Sequence, residues 1–122
     1  MAKDGESSRS SSLSEKRALV SSLTHVAPEQ ITTPADADYR VDIYAAGAVL
    51  YQALTGVPPF QGETLAVLGK AILEEPPPPM ASWVDNIPPA IDDVVQQAMA
   101  KDPGHRFGSA DAMWRAFRAA CG

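Results

Sequence analysis

The stretch Asp42–Gly56 reads DIYAAGAVLYQALTG, and after Asp42 no charged side chain appears until Glu63. On a helix of this sequence Ile43, Tyr44, Val49, Leu50, Tyr51 and Leu54 point in several directions, so apolar surface covers nearly every face. A helix without a polar stripe belongs in an interior, with other elements packed around its circumference. Thr55, Gly56 and Pro58-Pro59 stop the pattern well before the roughly 20 apolar residues that a bilayer crossing needs. Asp42 is expected to be the N-cap, and Thr55-Gly56 to end the helix ahead of the prolines. The rest of the fold is expected to be organised around this one helix.

The chain has 122 residues, enough for one domain with its own core. Its net charge of −5 argues against nucleic acid or an anionic membrane as the main partner. The lone cysteine, Cys121, has no partner for an internal disulfide, and no Cys/His cluster has zinc spacing. The opening MAKDGESSRSSS contains no apolar run, so neither a signal peptide nor a membrane anchor is read there, and a cytoplasmic setting is the default expectation.

Residues 1–17 are Ser-rich, with basic and acidic side chains interspersed, and are expected to be mobile. Two readings stand: a disordered tail, or a regulated loop whose hydroxyls, once phosphorylated, pair with nearby arginines. Residues 18–26 are expected to be extended. Pro28 suits the first turn of a short helix, with Glu29 near its positive end. Residues 32–40 read as a loop; Asp36 and Asp38 lack the glycine and glutamate of a calcium loop. Phe60 is expected to anchor a turn into the core. Leu65, Leu68, Ala71 and Ile72 then recur at helical spacing, giving a helix over 64–73. Pro76–Pro79 should be extended, either as a rigid connector or as a recruiter of a proline-binding module. A helix over 89–101 follows from Ile91, Val94, Val95, Ala98 and Met99, and Ser109 caps a last helix bearing Met113, Phe117 and Ala120 on one face. The pattern predicts an all-α packing of about four helices with long connectors.

Four segments in order carry a resemblance: APEQ (27–30), DYRVDIYAAGAVLYQALTGVPPFQG (38–62), EEPPPP (74–79) and PPAIDDVVQQAMAKDPGHRF (88–107). Together they resemble the C-terminal lobe of a bacterial eukaryotic-type (Hanks-type) serine/threonine protein kinase. APE alone is a short motif; the order and separations of all four give the match its specificity. The resemblance implies helices around a buried central helix, without the sheet of the N-terminal lobe. Residues 27–120 would be a partial C-terminal lobe and residues 1–26 an activation-segment-like stretch. MAK (1–3) fits what commonly follows the DFG motif in this family.

The resemblance also implies roles. Glu29, with Ala27 and Pro28 of the APE motif, would pair with Arg106 of KDPGHRF and lock the end of the activation segment onto the lobe. Asp42, in the same DIYAAG motif as Gly47, would bind the backbone of the catalytic loop. Ser22 matches the hydroxyl residue of the loop that receives the substrate, whereas Leu23 and His25 stand where the family usually has Pro and Tyr. Ser12 and Ser14 lie at the usual upstream distance for phosphorylation and are candidate phosphosites. The 64–73 helix would contact protein substrates or regulators.

The family uses ATP and Mg2+, but these 122 residues contain no glycine-rich loop, no VAIK lysine, no HRD loop and no DFG aspartate. No catalytic, cofactor-binding or metal-binding residue is therefore assigned. The expected function is that of the C-terminal portion of a kinase domain, inactive by itself and partnered by the complementary N-terminal kinase portion. The alternative is a non-catalytic, kinase-derived interaction module. Either way the partly covered central helix is expected to leave an apolar patch open, with Asp42 lacking its backbone partners.

Overall fold

The computed structural model describes residues 23–122, which form five α-helices: α1 (Pro28–Thr32), α2 (Arg40–Thr55), α3 (Leu65–Glu74), α4 (Pro89–Ala98) and α5 (Ala110–Cys121). Single 3-10 turns at Pro34–Asp36, Met80–Ser82 and Pro103–His105 interrupt the connectors, and no strand occurs among the described residues. The all-α expectation holds there. None of these helices is long and apolar enough to cross a membrane.

α2 packs against α4, α4 against α5, and α3 reaches α1. Two apolar clusters result. One gathers Tyr44, Tyr51, Phe60, Leu68, Ile72, Met80 and Met99 between α2 and α3, and the other joins Ile43 to Val94, Ala98, Phe107 and Met113. Leu50 touches both clusters.

The central helix differs from the expectation of burial all round. Its buried residues Ile43, Tyr44, Gly47, Ala48 and Tyr51 form one stripe, while Leu50 and Leu54 are half-buried and Val49 is 53% exposed. Among the described helices α4 crosses it most closely, so there the continuous apolar sequence is covered mainly along a single face. Leu65 is likewise corrected: it opens α3 at 44% exposure, and Leu68, Ala71 and Ile72 alone face the core.

The start of α2 is also corrected. The helix begins at Arg40 with Tyr39 in the N-cap position, so Asp42 lies within the first turn and caps nothing. The Asp38 carboxylate explains the earlier start, because its Oδ1 accepts from the Arg40 N–H at 2.9 Å. That local bond satisfies a donor the helix cannot use. Asp42 keeps a favourable place near the positive end of the dipole. At the other end, Gly56 adopts the left-handed conformation (φ 81°) and donates to the Gln52 carbonyl at 2.8 Å, as the Thr55-Gly56 stop predicts.

Of the stretch expected to be extended, the described part is a turn closed by the Val26 N–H on the Leu23 carbonyl at 3.1 Å. Residues 32–40 hold the end of α1 and a 3-10 turn rather than open loop. α4 ends at Ala98, three residues before the expected 101, with the chain turning at Met99. Ser109 caps α5 as expected, its Oγ accepting from the Ala112 N–H at 3.0 Å.

The proline run 76–79 has no N–H groups of its own, so its carbonyls need outside donors. Gln96 Nε2 donates to the Pro77 carbonyl at 3.1 Å and the Tyr51 hydroxyl to that of Pro78 at 2.8 Å. Trp83 Nε1 in turn donates to the Tyr51 hydroxyl at 2.9 Å. The run is thereby tied to α2 and α4.

Gly47 sets the distance between α2 and α4. A Cβ at that position would lie 2.9 Å from both Ala98 Cβ and Met99 Cγ. Overpacking of this kind costs roughly 1–3 kcal/mol, more than the helix-propensity gain of alanine. Gly69, in α3, has open space in the corresponding direction. In urea denaturation, Gly47→Ala is expected to be destabilised, whereas Gly69→Ala gains up to about 1 kcal/mol. Equal shifts of the two variants would contradict this close approach.

Candidate functional site

Arg106 follows the 3-10 turn Pro103–His105, and that turn is fixed by Asp102, whose Oδ1 accepts from the Gly104 N–H at 2.8 Å. The chain then extends and carries the guanidinium inward, where it is completely buried. A buried charge survives only with full compensation. Here Nη1 and Nη2 donate to Glu29 Oε2 and Oε1 at 2.6 and 2.8 Å, a bidentate fork. Nε donates to the Ala100 carbonyl at 2.8 Å and Nη1 also to that of Arg40 at 3.1 Å. The guanidinium carbon lies 5.0 Å from the centre of the Tyr44 ring. One side chain thus joins α1, the start of α2 and the end of α4.

Glu29 is placed by the opening of α1. Ala27 and Pro28 are buried, and the Ala27 N–H donates to Gln30 Oε1 at 2.9 Å. This holds the first turn rigid and directs Glu29 at Arg106. Burial pushes the Glu29 carboxyl up, but the hydrogen bond and charge of Arg106 outweigh it and hold the group below its ordinary value. Burial, with a smaller push from the Glu29 charge, drives the Tyr44 phenol far up against the opposing charge of Arg106, so its ring meets the cation as a neutral phenol.

The other assigned residues are not gathered here. Asp42 is exposed, and its carboxylate accepts no hydrogen bond among the described residues. Leu23 is half-buried against the cluster containing Ala27 and Tyr44; His25 is half-buried beside it in sequence, with Nε2 lacking a partner among the described residues. Ser12, Ser14 and Ser22 lie outside the described residues. No group of His, Cys, Asp or Glu among the described residues is arranged to hold a metal ion.

Sequence reasoning missed Lys101. Its ammonium donates to the Ala71 and Ile72 carbonyls at the end of α3 and lies 4.3 Å from the centre of the Phe60 ring. Burial pushes its pKa down to about 8, against the opposing charge of Glu75. The bond to Ile72 spans 29 residues, and no local pattern announces it.

Removal of either member of the Glu29–Arg106 pair leaves the other charge buried. Glu29→Ala and Arg106→Ala are each expected to cost roughly 3–5 kcal/mol, with the double variant destabilised by less than their sum. Strict additivity in a denaturation cycle would contradict the pairing. Because the folded-state pKa of Glu29 lies below 4.5, the unfolded chain binds more protons in acid. This contribution is intact above that pH and fades as pH falls through the lowered value, so Glu29→Gln should flatten the acid limb of the stability profile.

Against known proteins, the family model described as the protein kinase domain matches residues 2–117. A probable serine/threonine-protein kinase of Corynebacterium efficiens is 43% identical over 108 residues, which cover 84% of this chain and 16% of that protein. The probable serine/threonine-protein kinase PknB of Corynebacterium glutamicum is 40% identical over 108 residues, again 84% of this chain and 16% of the relative. Serine/threonine-protein kinase PknE of Mycobacterium tuberculosis is 43% identical over 88 residues, 72% of this chain and 15% of the relative. The chain therefore spans about 16% of the length of the Corynebacterium relatives. With a helical fold, no strand among the described residues and a match from end to near end, the chain belongs to the protein kinase domain family and carries a C-terminal-lobe portion of it.

Proposed function

We propose that this chain acts as the anchoring and docking platform of a serine/threonine kinase domain, and that by itself it neither binds ATP with Mg2+ nor transfers phosphate. The observation that carries this reading is the buried fork between Glu29 and Arg106, which ties α1 to the rest of the helices. In that role the pair anchors the end of residues 1–26, with Ser22, Leu23 and His25 forming the substrate-receiving loop and Ser12 and Ser14 available for phosphorylation. The setting is cytoplasmic. Phosphoryl transfer rests on positioning and electrostatic stabilisation of the γ-phosphate and metal. None of the family's motifs for that chemistry occurs in these 122 residues.

Two surfaces suit protein partners. α3 exposes Leu65 and Val67 (55%) at its first turn, suited to a substrate or regulator. The face of α2 around exposed Val49, together with Asp42, which has no side-chain partner among the described residues, suits the complementary N-terminal kinase portion. The alternative, a non-catalytic interaction module, is favoured by the α3 surface alone, because that surface needs no chemistry.

Calorimetry with ATP and Mg2+ is expected to show no binding, and a radiolabel assay with a basic protein substrate no transfer. Micromolar affinity, or turnover that survives repurification, would overturn the reading. Adding the N-terminal portion of a related kinase is expected to raise the melting temperature and suppress hydrophobic-dye binding. An unchanged melting temperature and dye signal on adding that portion would favour the module.

A further inference from the structure

The turn after α2 and the proline run after α3 enclose an open groove of about 270 Å³ between them. Phe60 and Ala71, both nearly fully buried, line it together with Pro76, Pro78, Glu75 and Trp83. The proline walls are already fixed by the donors from Tyr51 and Gln96, so a ligand entering here meets a pre-ordered surface.

Of the polar side chains near the groove, Trp83, Tyr51 and Lys101 are spent on internal bonds, whereas Gln61 and Glu75 are exposed in its lining. The Trp83 N–H donates to Tyr51, and the Tyr51 hydroxyl donates to Pro78. The indole is 47% exposed, so what it offers a ligand is its π surface. Lys101, stacked on Phe60, is committed to the α3 carbonyls. Glu75 is the one charged side chain lining the groove. It is exposed, forms no ion pair among the described residues, and stands at the C-cap of α3 with Glu74 beside it. The negative end of a helix dipole adds to its potential.

We infer that this groove docks an arginine side chain carried on an extended segment of a partner protein, the guanidinium stacking on Trp83 and pairing with Glu75. A guanidinium fits better than an ammonium because it is planar, weakly hydrated, stacks on aromatic faces and presents a fork to a carboxylate. A wall of prolines supplies no backbone N–H groups for β-pairing, and the fitting segment is an extended one of polyproline II type, which needs no such partner. The acidic balance of the chain, −5 overall, favours the approach of a basic segment.

The full chain with Trp114→Phe leaves Trp83 as its only tryptophan, since the sequence has two. Its fluorescence is followed during titration with a short peptide that alternates proline with arginine, and with a twin bearing citrulline at each arginine. The arginine peptide is expected to cause a saturable change and to bind about tenfold tighter than its twin. Glu75→Gln should lose about tenfold in affinity for the arginine peptide, whereas Glu63→Gln, an exposed carboxylate outside the groove, should lose nothing. The Glu75 side chain forms no hydrogen bond or ion pair among the described residues, but its charge acts on Lys101, so an unchanged urea midpoint of Glu75→Gln is the control that a lost signal reports binding rather than unfolding. Equal affinity for the two peptides, an indifferent Glu75→Gln, or no saturable change in Trp83 emission would each overturn the proposal.

Discussion

Removing the Arg106 guanidinium from water without compensation would cost several kcal/mol. The structure meets that cost with a bidentate carboxylate, two backbone carbonyls and an aromatic ring, drawn from parts of the chain far apart in sequence. Glu29 lies 77 residues from its partner and the Arg40 carbonyl 66. Such a network is satisfied only when α1, α2 and the turn after α4 all sit in one arrangement. It therefore acts chiefly on uniqueness: apolar burial between α2, α3 and α4 favours many compact packings, and the fork admits few. A half-satisfied version would be worse than an apolar core.

The sequence foretold the Arg106 fork through motif order and not through local physics. APEQ and KDPGHRF are each short, and nothing in their own periodicity says that Glu29 meets Arg106; the family resemblance did. The ends of α2 and α5 were legible because capping is local chemistry, visible in Gly56 and Ser109. The start of α2 was misread because two aspartates compete there, and Asp38 wins by reaching the Arg40 N–H. For α2 the apolar sequence alone pointed to burial all round, whereas the count of neighbouring helices pointed to partial cover. Apolar sequence states what a surface tolerates, while coverage depends on how many neighbours arrive, and here α4 occupies only the Gly47 face. Lys101 and the Tyr51–Trp83–Pro78 chain of bonds were invisible because each spans dozens of residues.

These long-range bonds also divide the molecule by role. The Glu29–Arg106 end is buried around a bidentate ion pair with two further backbone bonds, suited to holding α1 firmly. α3 is held by Leu68, Ala71 and Ile72 in the core and by Lys101 on two carbonyls of its last turn, and α3 with the segment after it displays Leu65, Val67, Glu75 and Trp83 outward. A rigid anchor at one end and an open, partly apolar rim at the other suit a platform that positions a segment and receives a partner.

The most direct test of the central claim is amide hydrogen exchange on Arg106→Lys, which keeps the charge but loses the fork and the bond to Ala100. The account predicts lost protection at residues 30–33, in α1 and its C-cap, and in the first turn of α2, with α4 and α5 retaining theirs. Unchanged protection throughout, or a uniform loss across all helices, would contradict the view that this one guanidinium holds α1 and α2 in place.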